Sequence, residues 1–552
     1  MDILRIGDGC MQTRPDDEVG SKAANLARMA ALGLPVPPAF VVPIEMCARV
    51  SDPAAETNSV AERRLGEALH EGIAYLETAT GKEFGDRRRP LLVSVRSGAA
   101  ISMPGMLNTV LNVGCTSAAT RGLVRMTGNP GFAWDCRRRF LEGYADSVLG
   151  LDPSPFAAAI VEIMKGAGVT NERDLDAEDR ERLATAHEAT IADFNAQVPD
   201  DAMSALVAAA GGVCGSWMSD RACTYRKLQK LEHLKGTAVT VQAMVFGNRG
   251  QSSGSGVAFS RDPSTGSPEP VIDFLFDAQG EDVVSGRRTP RTEAAIAQAM
   301  PGTLAQLRNV LARLERHFGD VQDVEFTVED GKFWVLQTRA AKRTPRAALR
   351  FAVDFVRDGL LSPEEAVRRL EGLDRAALAI NRFAETGNAH AHGTGAAAGV
   401  AVGRAAFDSS AAQRLAARGD PVILVRPDTS TADVAGFSAS AGILTAVGGR
   451  TAHAALVARH MGKACVVGCR ALAVDGKIHR AELAGATIEE GDWISIDGAS
   501  GEVFLGQWSI VTELPEAELE QLNHWRAAIM PGGMNDILGQ SRLWATVGGA
   551  AT

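Results

Sequence analysis

Apolar positions along this chain fall into short runs and helical stripes, not one continuous block. After Gly20-Ser21-Lys22, the stretch Ala23–Ala31 carries apolar residues at helical spacing and stops at Gly33 and Pro35-Val36-Pro37-Pro38, which predicts a helix with a defined end. Leu91–Val95 reads as a strand running into Arg96-Ser97-Gly98. Phe132–Leu149 and Pro155–Lys165 read as helices, and the charged Asp176–Gln197 as a solvated one. Between Thr237 and Phe246 the pattern turns to β. Gly254-Ser255-Gly256 reads as a flexible segment leading into the strand Val257–Ser260, and Arg261–Gly266 as a turn. Asp323–Thr327 and Lys332–Thr338 flank Glu329-Asp330-Gly331 in a hairpin pattern.

Two helices, Pro345–Asp358 and Ser362–Glu371, then form a connector, and the Ala/Gly/His/Thr stretch 384–398 reads as a linker. Residues 399–506 alternate strands with one clear helix, and Glu516–Ile529 is a last short helix before a Gly-rich end. The expected divisions are 1–112, 113–236, 237–342, 343–398, 399–506 and 507–552. The expected fold class is a multidomain α/β and α+β chain.

Composition narrows the function classes. The 552 residues are 45% hydrophobic and 22% charged, enough for about three to five separate cores. A net charge of −10 argues against a general nucleic-acid binder. No window approaches the ~20 apolar residues of a membrane span. The eight cysteines are scattered, and the first residues lack the basic-then-apolar order of a signal peptide, so free thiols and a cytoplasmic protein are expected.

The sharpest chemical signal is Gly448-Gly449-Arg450-Thr451-Ala452-His453, which follows the apolar strand Gly442–Val447 and precedes residues of helical composition. A histidine in a helix's first turn stays neutral and nucleophilic beside the helix dipole, and the free N–H groups there favour a phosphoryl group once it is attached. A polar capping histidine is the plainer alternative. Asp323 and Glu325 alternate along a strand and so share one face, where two carboxylates suit Mg²⁺; Gln337 and Arg339 lie on the partner strand, and Arg339 could hold a phosphate bidentately. Charge pairs across an exposed sheet face would give the same pattern. Lys22, Arg96, Ser255 and the pair Glu281-Asp282 recur in phosphate chemistry but are ambiguous singly. Arg137-Arg138-Arg139 reads as a solvated face or an anion contact, and His390 and His392 as solvated linker residues.

Taken together, these segments resemble the pyruvate, phosphate dikinase family. The resemblance runs in order through Gly20–Leu26, Gly33–Pro38, Val93–Ala99, Ser102–Met106, Phe132–Asp135, Val245–Asn248, Ala278–Val284, Gln337–Arg339, Gly448–Arg459 and Glu490–Ser495. It implies a two-lobed ATP-grasp unit followed by a swivelling phosphohistidine domain. It further implies that His453 takes the β-phosphoryl of ATP while inorganic phosphate takes the γ-phosphoryl, giving AMP and pyrophosphate. By the same resemblance, Lys22 and Arg96 contact nucleotide phosphates, and Gly105 and Ser255 lie in loops over them. Gln242 to Val245, Met244 included, line the adenine. Asp323, Glu325 and Gln337 place Mg²⁺. Arg339, Glu281, Asp282 and one of Arg138 or Arg139 form the inorganic-phosphate site.

Two departures accompany the resemblance. The family's usual Thr-Ser-His is Thr451-Ala452-His453 here, with one hydroxyl fewer. The family's pyruvate-binding barrel needs roughly 200 or more residues, and only 46 follow Gly506, so the acceptor is expected on a separate barrel-like protein. A homodimer is compatible with this reading. A water-using relative of the phosphoenolpyruvate synthase kind and a non-catalytic scaffold are the competing expectations.

Overall fold

The computed structural model describes residues 2–51, 58–101, 103, 106–284, 290–291, 293–385, 387–429, 433–450, 452–476 and 478–529. Gly105 and Thr451, named above, lie outside the described residues. The chain divides into two compact units. The first comprises residues 1–254, 276–278 and 325–339, and the second comprises 255–275, 279–324 and 340–552. The division runs between Val324 and Glu325, inside the strand Gln322–Glu329.

The first unit is built on a five-stranded sheet ordered Leu4–Ile6, Ala39–Val42, Ala238–Ala243, Val93–Gly98 and Thr109–Val113, antiparallel at every pairing. Helices Asn58–Thr80, Pro130–Ser147 and Ala202–Gly215 pack on it. They bury Phe40, Leu69, Val93, Phe132, Leu206 and Val241 in one apolar core. The helix Ala177–Asp193 is less solvated than its charge implies, because Leu183, Ala184, His187 and Ile191 face inward. Arg137 and Arg138 likewise overturn the solvated-face reading. Both are buried; Arg137 binds Glu188 and the Cys115 carbonyl, and Arg138 is ringed by Asp135, Glu142 and Glu172. Three carboxylates around one guanidinium offset the desolvation that would otherwise exclude it.

The hairpin around Glu329-Asp330-Gly331 forms as the pattern predicts, between Gln322–Glu329 and Lys332–Ala340. Asp330 (φ 48°) and Gly331 (φ 77°) both take the left-handed conformation that a tight Asp-Gly hairpin requires. Gly254-Ser255-Gly256 is no loop, however. It is the first half of the strand Gly254–Phe259, and Ser255 is wholly buried. Sheet pairing has overridden glycine's local preference for turns.

In the second unit, Phe259, Val271, Phe351 and Phe355 share a core beneath the connector helix Pro345–Arg357. Arg261 clamps its turn to Glu315 and Asp354. Residues 391–505 contain an eight-stranded mixed sheet. Its order is Ala391–His392, Glu502–Leu505, Trp493–Asp497, Val400–Ala406, Val422–Arg426, Gly442–Thr445, Ala464–Val467 and Thr394–Ala397. The strands starting at 400, 422, 442 and 464 run parallel, and three of them, Val422–Val425, Gly442–Thr445 and Ala464–Val467, are continuous buried runs.

The expected linker 384–398 is therefore partly strand, since 391–392 and 394–397 lie in this sheet. Residues 510–529 are tied to the connector as well. Ile510–Glu513 pairs antiparallel with Ile380–Phe383, and Glu516–Ile529 packs Leu522 and Trp525 against the connector helices. The sheet domain thus leaves its base through the same two-stranded ribbon by which it is entered. Small apolar residues at helix spacing do not reveal such long-range pairing.

Candidate functional site: a cationic cradle and an uncapped histidine helix

In the first unit, the helix Ser21–Ala31 begins at Gly20, whose φ is +80°. A Cβ at Gly20 would lie 2.2 Å from the Gly98 carbonyl oxygen, so only glycine lets this helix start touch the end of strand Val93–Gly98. Ser21 completes the junction by donating its N–H to the Ala99 carbonyl at 2.9 Å. This places Lys22, in the helix's first turn, beside Arg96 of the strand. Asn25, one turn on, donates to the Thr338 carbonyl at 3.1 Å, tying the helix to the strand that carries Arg339.

Glu325 stands between two guanidiniums, 3.9 Å from Arg96 and 3.8 Å from Arg339. Neither pair is at hydrogen-bonding distance, and Arg339 keeps 44% of its side chain exposed. Burial pulls the Lys22 ammonium down to about 8; Arg96 and Arg339 push the same way, and Glu325 offsets them in part. Lys22, Arg96 and Arg339 thus lie around Glu325. Such a cluster favours an anion among its members, and guanidiniums suit phosphate oxygens.

The remaining expected residues of this unit are placed less freely. The Gln242 carboxamide donates to the Pro37 carbonyl at 3.2 Å, and the Met244 N–H is taken by the Leu92 carbonyl at 2.9 Å. Gln337 is buried two residues before Arg339, on the same face of its strand. Arg139 and Arg138 both bind Asp135, which also accepts from Asn248 at 2.9 Å.

In the second unit, Glu281 is exposed, while Asp282 accepts the Gln279 N–H at 2.9 Å and so starts the short helix Gly280–Val284. Asp323 is nearly buried. In the first unit, Glu325 and Gln337 offer a carboxylate and a carboxamide on paired strands. Among the described residues no group of three or more His, Cys, Asp or Glu side chains is arranged to hold a metal. This donor set suits an ion that brings phosphate oxygens and water with it, as Mg²⁺ does, and not one caged by protein alone.

His453 is the first residue of helix His453–His460. Its N-cap is Ala452, which offers no side-chain acceptor, so the first-turn N–H groups have no capping side chain. The histidine Nε2 is shielded from solvent and has no hydrogen-bond partner. The ring stands edge-on to Phe437, 6.1 Å between centroids. Before it, Gly449 packs so closely that a Cβ would meet Pro290 at 2.4 Å and the Asp273 carboxylate at 2.8 Å. A ring nitrogen without a hydrogen-bond partner at a helix start can act as a nucleophile, and a helix N-terminus favours an anionic group placed there.

Sequence reasoning missed Asn25, Asp273 and Arg459. Asn25 lies one helical turn after Lys22, a spacing that could have flagged it. The partners of Asp273 and Arg459 are brought together only by the tertiary fold.

The fold thus carries a cationic cluster in one unit and, in the other, a sheet domain with a histidine at a helix start. Two family models match the chain: "Pyruvate phosphate dikinase, AMP/ATP-binding domain" over residues 54–301 and 293–353, and "PEP-utilising enzyme, mobile domain" over 419–501. Pyruvate, phosphate dikinase of Clostridium symbiosum is 40% identical over 513 residues, which is 92% of this chain and 58% of that protein. The same-named protein of Rhizobium meliloti (strain 1021) is 41% identical over 527 residues, 93% of this chain and 58% of its own. A chloroplastic form from Arabidopsis thaliana is 41% identical over 521 residues, 93% and 53% respectively. The chain belongs to the pyruvate phosphate dikinase family, and it spans a little over half the length of these relatives.

Proposed function

We propose that these domains carry out the nucleotide half of a dikinase reaction. ATP binds with its phosphates on Lys22, Arg96 and Arg339. Inorganic phosphate takes the γ-phosphoryl as pyrophosphate, the His453 Nε2 takes the β-phosphoryl, and AMP leaves. Atoms and charge balance across the two transfers, and phosphohistidine is the stored product. An acceptor, pyruvate or another small molecule bound outside the described residues, then receives the group. In the first unit, Glu325 and Gln337 are the residues that would hold Mg²⁺, which when bound neutralises phosphate charge.

The observation that carries this reading is His453 itself, with an enclosed, unpartnered Nε2 at an uncapped helix start. The ribbon Ile380–Phe383/Ile510–Glu513 supports a sheet domain that swings between phosphoryl donor and acceptor, because both chain crossings lie at one place. The names of the relatives support phosphate over water as the γ-phosphoryl acceptor.

The test is incubation with Mg²⁺ and ATP labelled at the β-phosphorus, with and without phosphate. Acid-labile, base-stable label that requires phosphate and disappears in His453→Ala is expected. Unlabelled wild type, or undiminished label in His453→Ala, refutes the carrier role. Label without phosphate identifies water as the γ-phosphoryl acceptor. Adding pyruvate with a barrel protein of the family then tests the final transfer.

A further inference from the structure

Arg459 lies in the last turn of the histidine helix, six residues beyond His453, yet it is only 5% exposed. Helical side chains lean toward the N-terminus, and this one runs back beneath its own helix. Its Nη2 donates to the Arg450 carbonyl at 2.7 Å, in the loop that delivers His453, and its Nη1 donates to the Ala396 carbonyl at 2.9 Å. Arg450 Nε binds the adjacent Gly395 carbonyl at 2.9 Å. The carrier loop is therefore fastened to strand Thr394–Ala397 through two guanidiniums.

The Ala396 carbonyl has a second donor, Ser264 Oγ at 3.0 Å, from the turn Arg261–Gly266. The Arg459 guanidinium also lies 5.5 Å from the Phe259 ring centroid. Burial lowers its pKa, while Cys465, Asp262, Asp273 and Asp323 favour its charge. One side chain thus touches the loop before His453, the strand beneath it, and the strand leading to the Ser264 turn.

We infer that Arg459 is a positioning residue for phosphorylation of His453, fixing the carrier loop by bridging the Arg450 and Ala396 carbonyls. The inference rests on the carrier reading of His453. A guanidinium is required because two diverging carbonyls need two N–H groups held in one plane, whereas an ammonium reaching from the same helix turn serves one of them. A loop left free by an ångström misaligns the nitrogen for in-line attack, a displacement that costs on the order of a hundredfold in rate.

The experiment is single-turnover labelling of His453 from β-labelled ATP in Arg459→Lys and Arg459→Ala, with the ATP KM measured alongside. Expected are a labelling rate about tenfold lower in Arg459→Lys and on the order of a hundredfold lower in Arg459→Ala, with an unchanged ATP KM and partial rescue of Arg459→Ala by added guanidinium. Wild-type labelling by either folded variant overturns the inference. So does an ATP KM that rises in step with the rate loss, which would mark a general structural role. Where Arg459→Ala fails to melt cooperatively, Arg459→Lys decides the matter. His453→Ala, run in parallel, separates the two claims. Persistent label in it refutes the carrier reading, whereas its loss beside wild-type Arg459 variants refutes only the positioning role.

Discussion

Lys22 offers a prediction whose size follows from the structure. Its ammonium is held to about 8 against an ordinary 10.5, first by burial and then by Arg96 and Arg339. That gap corresponds to about 3 kcal/mol acting against the charged form. The sign follows directly: the unfolded chain binds more protons than the folded lobe between about pH 8 and 10.5, so Lys22 makes the free lobe more stable as pH rises through that window. Triphosphate placed among the three cations reverses the imbalance and returns the proton. At pH 8.5 roughly three quarters of Lys22 is neutral in the free protein, so ATP binding takes up roughly 0.7 proton. Above pH 8 the ATP Kd rises by about tenfold per pH unit. Titration calorimetry at pH 8.5 in two buffers of different ionisation enthalpy measures the uptake. Lys22→Arg, charged throughout, abolishes it. No uptake in wild type, or equal uptake in Lys22→Arg, refutes the reasoning.

Gly20→Ala drives a Cβ to 2.2 Å from the Gly98 oxygen at φ +80°, and should cost about 3 kcal/mol or more in thermal unfolding and abolish the ATP-linked proton uptake; Gly33→Ala, at φ +69° with open space, should cost only about 1 kcal/mol. Burial raises the Asp135 pKa, but Arg139 and Arg138 outweigh it and hold the carboxyl well below the usual range. Its stabilisation is therefore present above the unfolded value of 3.8 and is lost as pH falls through the lower folded one. Asp135→Asn should accordingly cost about 3–5 kcal/mol at pH 7 in denaturant unfolding, with the loss shrinking in acid. Ala452→Ser supplies the missing cap and should stabilise the histidine helix by about 1 kcal/mol, seen as slower amide exchange in residues 453–460.

Local elements were largely legible in the sequence. The helix after Gly20-Ser21-Lys22, the Asp330-Gly331 hairpin, the connector helices and Glu516–Ile529 all form where periodicity and turn residues place them. Each is set by contacts among near neighbours, which the order of residues contains. The elements misread are those decided at long range. Gly254-Ser255-Gly256 is strand because partner strands supply its hydrogen bonds. Residues 391–392 and 394–397 are strand because each pairs with a strand far along the chain, Glu502–Leu505 and Ala464–Val467. Arg137 and Arg138 are buried because Glu188, Asp135 and Glu172 come to meet them.

The same division holds for the chemistry. Residue types in local order flagged His453, because a strand, a glycine turn and a helix start are local devices, whereas Lys22, Arg96, Glu325 and Arg339 stayed ambiguous singly and were nominated through the family resemblance. That burial pulls the Lys22 ammonium down to about 8, that Glu325 lies among Lys22, Arg96 and Arg339, and that Arg459 fastens the loop before His453 were decided only by the tertiary structure. A charge's effect depends on burial and on neighbours within a few ångströms, and the chain brings those neighbours from more than three hundred residues away: Lys22 and Glu325 share one cradle only once the sheet and hairpin have folded.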